Sequence, residues 1–170
     1  MDNKYFKDSL LLFTKAGDKD DDLEDSFQET HPTVDHSLTL SHIRSVKQKI
    51  LEVADLELSS VAIAYAFFEK LCLKGLVNKD NRKAKGAVCL FLATKVNEHK
   101  SKLTGMMDAF DRVFDLSDKD IHLVEFPTFA ELEFSLYIPK SEFMPHLERI
   151  LNASEYENID EYVNWKNFYQ

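Results

Sequence analysis

The run Val61-Ala62-Ile63-Ala64-Tyr65-Ala66-Phe67-Phe68, continuing through Leu71, Cys72 and Leu73, is apolar on almost every side of a helix. A helix without a polar face belongs in the middle of a fold, so the rest of the chain must supply elements that cover it. Ser59 or Ser60 is placed to open this helix, and Gly75, just past Lys74, is placed to close it.

The flanking segments have the pattern that such a cover needs. Before the run, Leu40, Ile43, Val46, Ile50 and Val53 step by threes and fours along one stripe, with Thr39 or Ser37 in position to cap. After it, Ala84, Gly86, Ala87, Val88, Cys89, Leu90, Phe91, Leu92 and Ala93 follow a cap at Asp80 or Asn81, and their small members allow a neighbouring helix to come close. A fourth stripe comprises Leu103, Met106, Met107, Phe110, Val113 and Phe114, with the methionines as core filler.

Ser117 and Asp120 form a capping-box pattern ahead of a fifth helix carrying Leu123, Val124, Phe126, Phe129, Leu132, Phe134 and Leu136. Pro127 must kink this helix or lie within its first turn, and Pro139 ends it. Ser141 to Leu151 reads as one more short helix, and the aromatic tail Tyr156, Tyr162, Trp165, Phe168 and Tyr169 as a segment folding back on the domain. About five helices with short connections and no strand pattern predict an all-α fold. The chain length, 170 residues with 44% hydrophobic content, fits one core rather than two.

Three regions follow. Residues 1–36 carry Asp18, Asp20, Asp21, Asp22, Glu24 and Asp25, a density of like charge that predicts a flexible acidic arm. Residues 37–139 hold the five helices, and 140–170 the last helix and the aromatic tail. The formal net charge of −9 opposes binding to nucleic acid or anionic membranes and favours a protein partner. Cys72 and Cys89 lie in apolar segments without metal-site spacing, and the N-terminus shows neither a signal peptide nor a membrane span. Buried, reduced thiols and a cytoplasmic or nuclear location are expected.

No catalytic constellation can be written. Gly17, Gly75, Gly86 and Gly105 are too far apart for a phosphate or dinucleotide loop, and kinase signatures are missing from the sequence. His31, His36 and His42 have spacing compatible with metal ligation, but no cysteine accompanies them, and exposed histidines are the simpler reading. The sequence therefore predicts a protein that is not an enzyme and needs no cofactor.

Leu38-Thr39-Leu40-Ser41 with Ile43-Arg44-Ser45, Phe68-Glu69-Lys70-Leu71, Leu73-Lys74-Gly75, Asn81-Arg82-Lys83, Ala93-Thr94-Lys95, Glu125-Phe126-Pro127 and Leu132-Glu133-Phe134 together resemble the cyclin box. The likeness is to the cyclin-like domain of the Cables family, adaptors associated with cyclin-dependent kinases and the Abl tyrosine kinase. It covers Ser37 to Leu151, and Met144-Pro145-His146 extends it past the five-helix box.

In cyclins an invariant lysine ends the third helix, an invariant glutamate lies on the fifth, and both meet the kinase. Lys95 and Glu125 match those positions, and Val96, Phe129, Phe134 and Leu136 align with the apolar residues that grip it. The resemblance thus implies a regulatory or adaptor subunit that binds a cyclin-dependent kinase through the face shared by helices three and five, with tyrosine-kinase-linked adaptors as further partners. The alternative is a cyclin-fold scaffold that binds other proteins without regulating a kinase. Leu40-Ser41-His42-Ile43-Arg44 departs from the Met-Arg-Ala-Ile-Leu pattern with which substrate-recruiting cyclins begin their first helix, and a second cyclin repeat is missing or reduced.

Overall fold

The computed structural model describes residues 20–53 and 56–153. Among these, seven α-helices and one 3-10 turn follow one another without a strand. They are α1 (Asp20–Thr30), α2 (Leu40–Glu52), α3 (Leu58–Leu73), α4 (Arg82–Asn97), the turn Lys100–Leu103, α5 (Met106–Phe114), α6 (Asp118–Glu131) and α7 (Lys140–Ala153). The five helices expected from the sequence are α2 to α6, so the third and fifth of that scheme are α4 and α6.

Helix α3 is the central element, buried almost continuously from Ser59 to Cys72. Its broadest packing is against α4 and α7. Ser59 and Ser60 do not cap it, because both hydroxyls are drawn inward to accept from Asn97 Nδ2 at 2.9 Å, and Ser60 also donates to Glu98 Oε1 at 2.7 Å. Glu57 is the N-cap instead. The helix does stop at Gly75, whose φ of 70° lets the Gly75 and Leu76 amides turn back onto the carbonyls of Cys72 and Leu71 at 2.9 and 3.0 Å.

Helix α2 opens on a capping box between Thr39 and His42. It crosses α4 at Gly86, where a Cβ would stand 2.3 Å from Val46 Cγ1, a β-branched side chain with little freedom to retreat. Gly86→Ala is therefore expected to cost about 1–3 kcal/mol through overpacking, even though alanine is the better helix former. Urea unfolding should show a lower midpoint at unchanged slope.

Residues 20–36 differ from the mobile arm expected there. Asp20–Thr30 is helical, and Phe27, His31 and Val34 are buried. The reason is tertiary: Phe27 buries its ring and anchors the helix on the domain. Glu24 also accepts the Leu40 amide, at 2.9 Å through Oε2, so α1 helps to satisfy the start of α2. Residues 1–19, with Leu10 to Phe13, and the tail from Tyr156 to Tyr169 lie outside the described residues.

Three further expectations shift. Helix α5 starts at Met106 rather than Leu103, which lies in the 3-10 turn. The Asn81 side chain does not cap α4 but braces the preceding loop, accepting the Asn78 amide and donating to the Leu76 carbonyl. Helix α6 ends at Glu131, short of Phe134 and Leu136, and Pro127 lies inside it rather than in its first turn. Both Pro127 and Leu123, whose carbonyl loses its intrahelical donor to the proline, are exposed, so water can replace the missing bond.

A buried ionic cluster joins α2, α3 and α7 within the core. Lys47 of α2 and Glu69 of α3 form an ion pair with side chains 4% and 3% exposed, and His146 of α7 places Nε2 3.3 Å from the second Glu69 oxygen. Burial alone would raise the Glu69 carboxyl, but Lys47 and His146 together hold it below the ordinary carboxylate range. Burial pulls the Lys47 ammonium down despite Glu69. Tyr65 closes the cluster by donating to the Lys47 carbonyl at 2.8 Å. Cys72 and Cys89 are buried and free, their thiols pushed up by desolvation. No helix among the described residues is long and apolar enough to cross a membrane.

Candidate protein-binding face

Helices α4 and α6 lie side by side in opposite directions, tied by two ion pairs. Lys85, near the start of α4, pairs with Glu131 at the end of α6 and reaches Thr128 Oγ1 at 3.3 Å. Lys95, in the last turn of α4, pairs with Glu125. The Lys95 ammonium also stands 4.3 Å from the centroid of the Phe91 ring, so a cation–π contact and an ion pair hold the same group. These side chains are 37% and 21% exposed, and the pair remains within reach of solvent and of a partner.

The capping box sets the start of α6: Ser117 Oγ accepts the Asp120 amide at 3.3 Å, and Asp120 Oδ2 accepts the Ser117 amide at 2.8 Å. The Ser117 hydroxyl, donating to Asp120 Oδ2 at 2.6 Å, and then the Ser117 amide hold the Asp120 carboxyl below its ordinary range. From there the helix carries apolar side chains in every direction. Ile121 is buried, Val124 and Phe129 are half-buried, and Leu123 and Phe126 are 75% and 69% exposed. A helix with a second apolar side facing water is the mark of an unfilled contact.

Past Glu131 the chain turns sharply. Glu133 and Phe134 both adopt left-handed backbone, with φ of 61° and 56°. The Glu133, Phe134 and Ser135 amides donate to the carbonyls of Ala130, Phe129 and Leu132 at 2.9, 3.0 and 3.2 Å. This turn carries Phe134 back alongside α6, with its ring 5.4 Å edge-on to Phe129 and 6.3 Å from Phe126.

Of the residues singled out from sequence, Lys95 and Glu125 are joined directly, and Phe129 and Phe134 are brought together through a turn rather than along a helix. Val96 and Phe134 are exposed, whereas Phe129 and Leu136 are half-buried. Leu123, Phe126 and Tyr137 were not singled out, yet each is more exposed than Phe134. The signal available for the first two was the lack of any polar side on α6. The three histidines have separate tasks: His31 packs on Phe27, His36 lies 3.2 Å from the Gln28 amide oxygen, and His42 completes the α2 cap.

Comparison with known proteins agrees with this architecture. The family profile described as "Cyclin, N-terminal domain" matches residues 24–137. Human CDK5 and ABL1 enzyme substrate 1 is 36% identical over 152 residues, covering 86% of this chain and 24% of that protein. Mouse CDK5 and ABL1 enzyme substrate 2 is 34% identical over 147 residues, covering 84% of this chain and 30% of its own length. The chain thus spans a quarter to a third of the curated relatives that it matches. No solved structure gives a significant match. A profile matched over most of an all-helical chain places this protein in the cyclin N-terminal domain family, with the CDK5 and ABL1 enzyme substrates as its relatives.

Proposed function

We propose that the chain binds a cyclin-dependent kinase through the α4–α6 face and acts as a cyclin-like regulatory or adaptor subunit, contributing binding rather than catalysis. The observation that carries this reading is the arrangement on α6 and its exit. Leu123 and Phe126, 75% and 69% exposed, lie on the helix that also bears Glu125, and Phe134, 61% exposed, lies in the turn that follows it. Aromatic anchors beside a charged pair are what a protein interface uses for affinity and for register, respectively. The names of the relatives point to CDK5 as the kinase to try and to ABL1 as a further partner of that assembly. The net charge of −9 supports a protein partner over nucleic acid.

Calorimetric titration of CDK5 against the full chain tests the proposal. Phe126→Ala removes a ring that contributes little to the core, so the variant should retain its circular dichroism and melting temperature. Its affinity should fall by about tenfold, the effect of about 1–2 kcal/mol at a contact anchor. Binding equal to that of the unaltered chain would take Phe126 out of the interface.

A further inference from the structure

The exit of α6 is a strained conformation that its own backbone hydrogen bonds and ring contacts hold only in part. Where a helix here turns out through the left-handed region it uses one residue, Gly75 after α3 and Asp115 after α5, while α2 and α4 end on extended residues. Here two successive residues with side chains, Glu133 and Phe134, take that conformation, and a bulky aromatic is among the least suited to it. Burial does not compensate, because Phe134 is 61% exposed. A tie from outside the turn adds to its three internal hydrogen bonds.

Lys74 is placed to do so. Its ammonium donates to the Glu131 carbonyl at 3.1 Å and to Glu133 Oε1 at 2.6 Å, bridging the last turn of α6 and the first left-handed residue. The Glu133 carboxyl lies below its ordinary range because of that hydrogen bond and charge. Lys74 itself is fixed at the end of α3: Thr33 Oγ1 donates to the neighbouring Leu73 carbonyl at 2.6 Å, and a Cβ on Gly75 would meet the Thr33 carbonyl oxygen at 2.6 Å.

We infer that the Glu133–Phe134 turn is a rigid mount that presents the Phe134 ring to the partner, and that Lys74 is the positioning residue that keeps the mount closed. The inference rests on the α4–α6 face being the kinase-binding surface and adds a residue away from the contact that sets its affinity. An aromatic side chain fixed before encounter, braced edge-on by Phe129, loses less freedom on binding than one on a mobile loop.

The test has two arms on the full chain. Amide hydrogen exchange, which needs no partner, should show Lys74→Met speeding exchange at Glu133, Phe134 and Ser135 by about tenfold, with the α3 and α4 core amides unchanged and Lys74→Arg close to the original chain. Titration with CDK5 should show Lys74→Met binding about fivefold more weakly, the upper range for an exposed ion pair, while Lys74→Arg binds normally. Glu133→Gly separates mounting from stability: glycine relieves the left-handed backbone and should keep or raise the melting temperature, yet affinity should fall because the clamp is gone.

Unchanged exchange in Lys74→Met overturns the clamp. Faster exchange with unchanged affinity overturns its link to binding. Phe134→Ala distinguishes the deeper failure: if it binds CDK5 like the original chain, or if the original chain does not bind, the functional reading falls, while the exchange arm still decides whether Lys74 holds the turn.

Discussion

Glu69→Leu is expected to remove about 3–5 kcal/mol of folding stability, because it strands the Lys47 ammonium in the core with its side chain 4% exposed. Lys47→Met should cost less, about 1–3 kcal/mol, since His146 Nε2 remains 3.3 Å from the carboxylate. The double variant Lys47→Met/Glu69→Leu should recover most of the loss, as apolar side chains of similar volume replace a desolvated pair. Urea denaturation followed by far-ultraviolet dichroism gives all three values. Equal losses for the two single variants would mean that His146 contributes nothing to Glu69. An additive double variant would mean that the two groups are not coupled.

Reversal of Lys95 or Glu125 alone is expected to lower the affinity for CDK5 by about 2–5 kcal/mol, roughly 30-fold or more, provided that kinase groups bury the pair. The direct pairing of these residues complicates a single reversal, which also sets like charges against each other in the free protein. At their partial exposure that internal term is worth no more than about 1 kcal/mol of stability. The double reversal Lys95→Glu/Glu125→Lys separates the two effects. It restores the internal attraction and should restore the melting temperature, but it presents inverted polarity to the kinase and should still bind weakly. If it binds CDK5 as the original chain does, Lys95 and Glu125 merely brace α4 against α6.

Much of the fold could be read from residue order because burial and periodicity agree in α2, α3 and α4. Leu40, Ile43, Val46 and Ile50 all enter the core from one stripe, and Val61 to Phe68 is buried throughout, as a helix without a polar side must be. Two regions resisted for different reasons. In α1, charge count outweighed the single anchor Phe27, and nothing local shows that Glu24 will find the Leu40 amide. At the end of α6, apolar residues continue past the helix, so composition gave no sign that Glu133 and Phe134 would turn left-handed without a glycine. The face itself was half legible: the resemblance supplied Lys95, Glu125, Val96, Phe129, Phe134 and Leu136. The exposure of Leu123 and Phe126 depends on which side of an evenly apolar helix meets α4, and that is a tertiary fact.

The docking of α7 redraws the limits of the smallest fragment worth expressing. The family profile stops at residue 137, but Phe143, His146, Leu147, Ile150 and Leu151 are buried beyond it. A truncation at the profile boundary would uncover one side of α3 and open the Glu69 carboxylate to water from the direction that His146 now closes. Such a fragment would be prone to aggregation for reasons unrelated to kinase binding. Deletion mapping on relatives should therefore retain the equivalent of Lys140–Ala153, and loss of binding in anything that lacks it reports on folding before it reports on recognition.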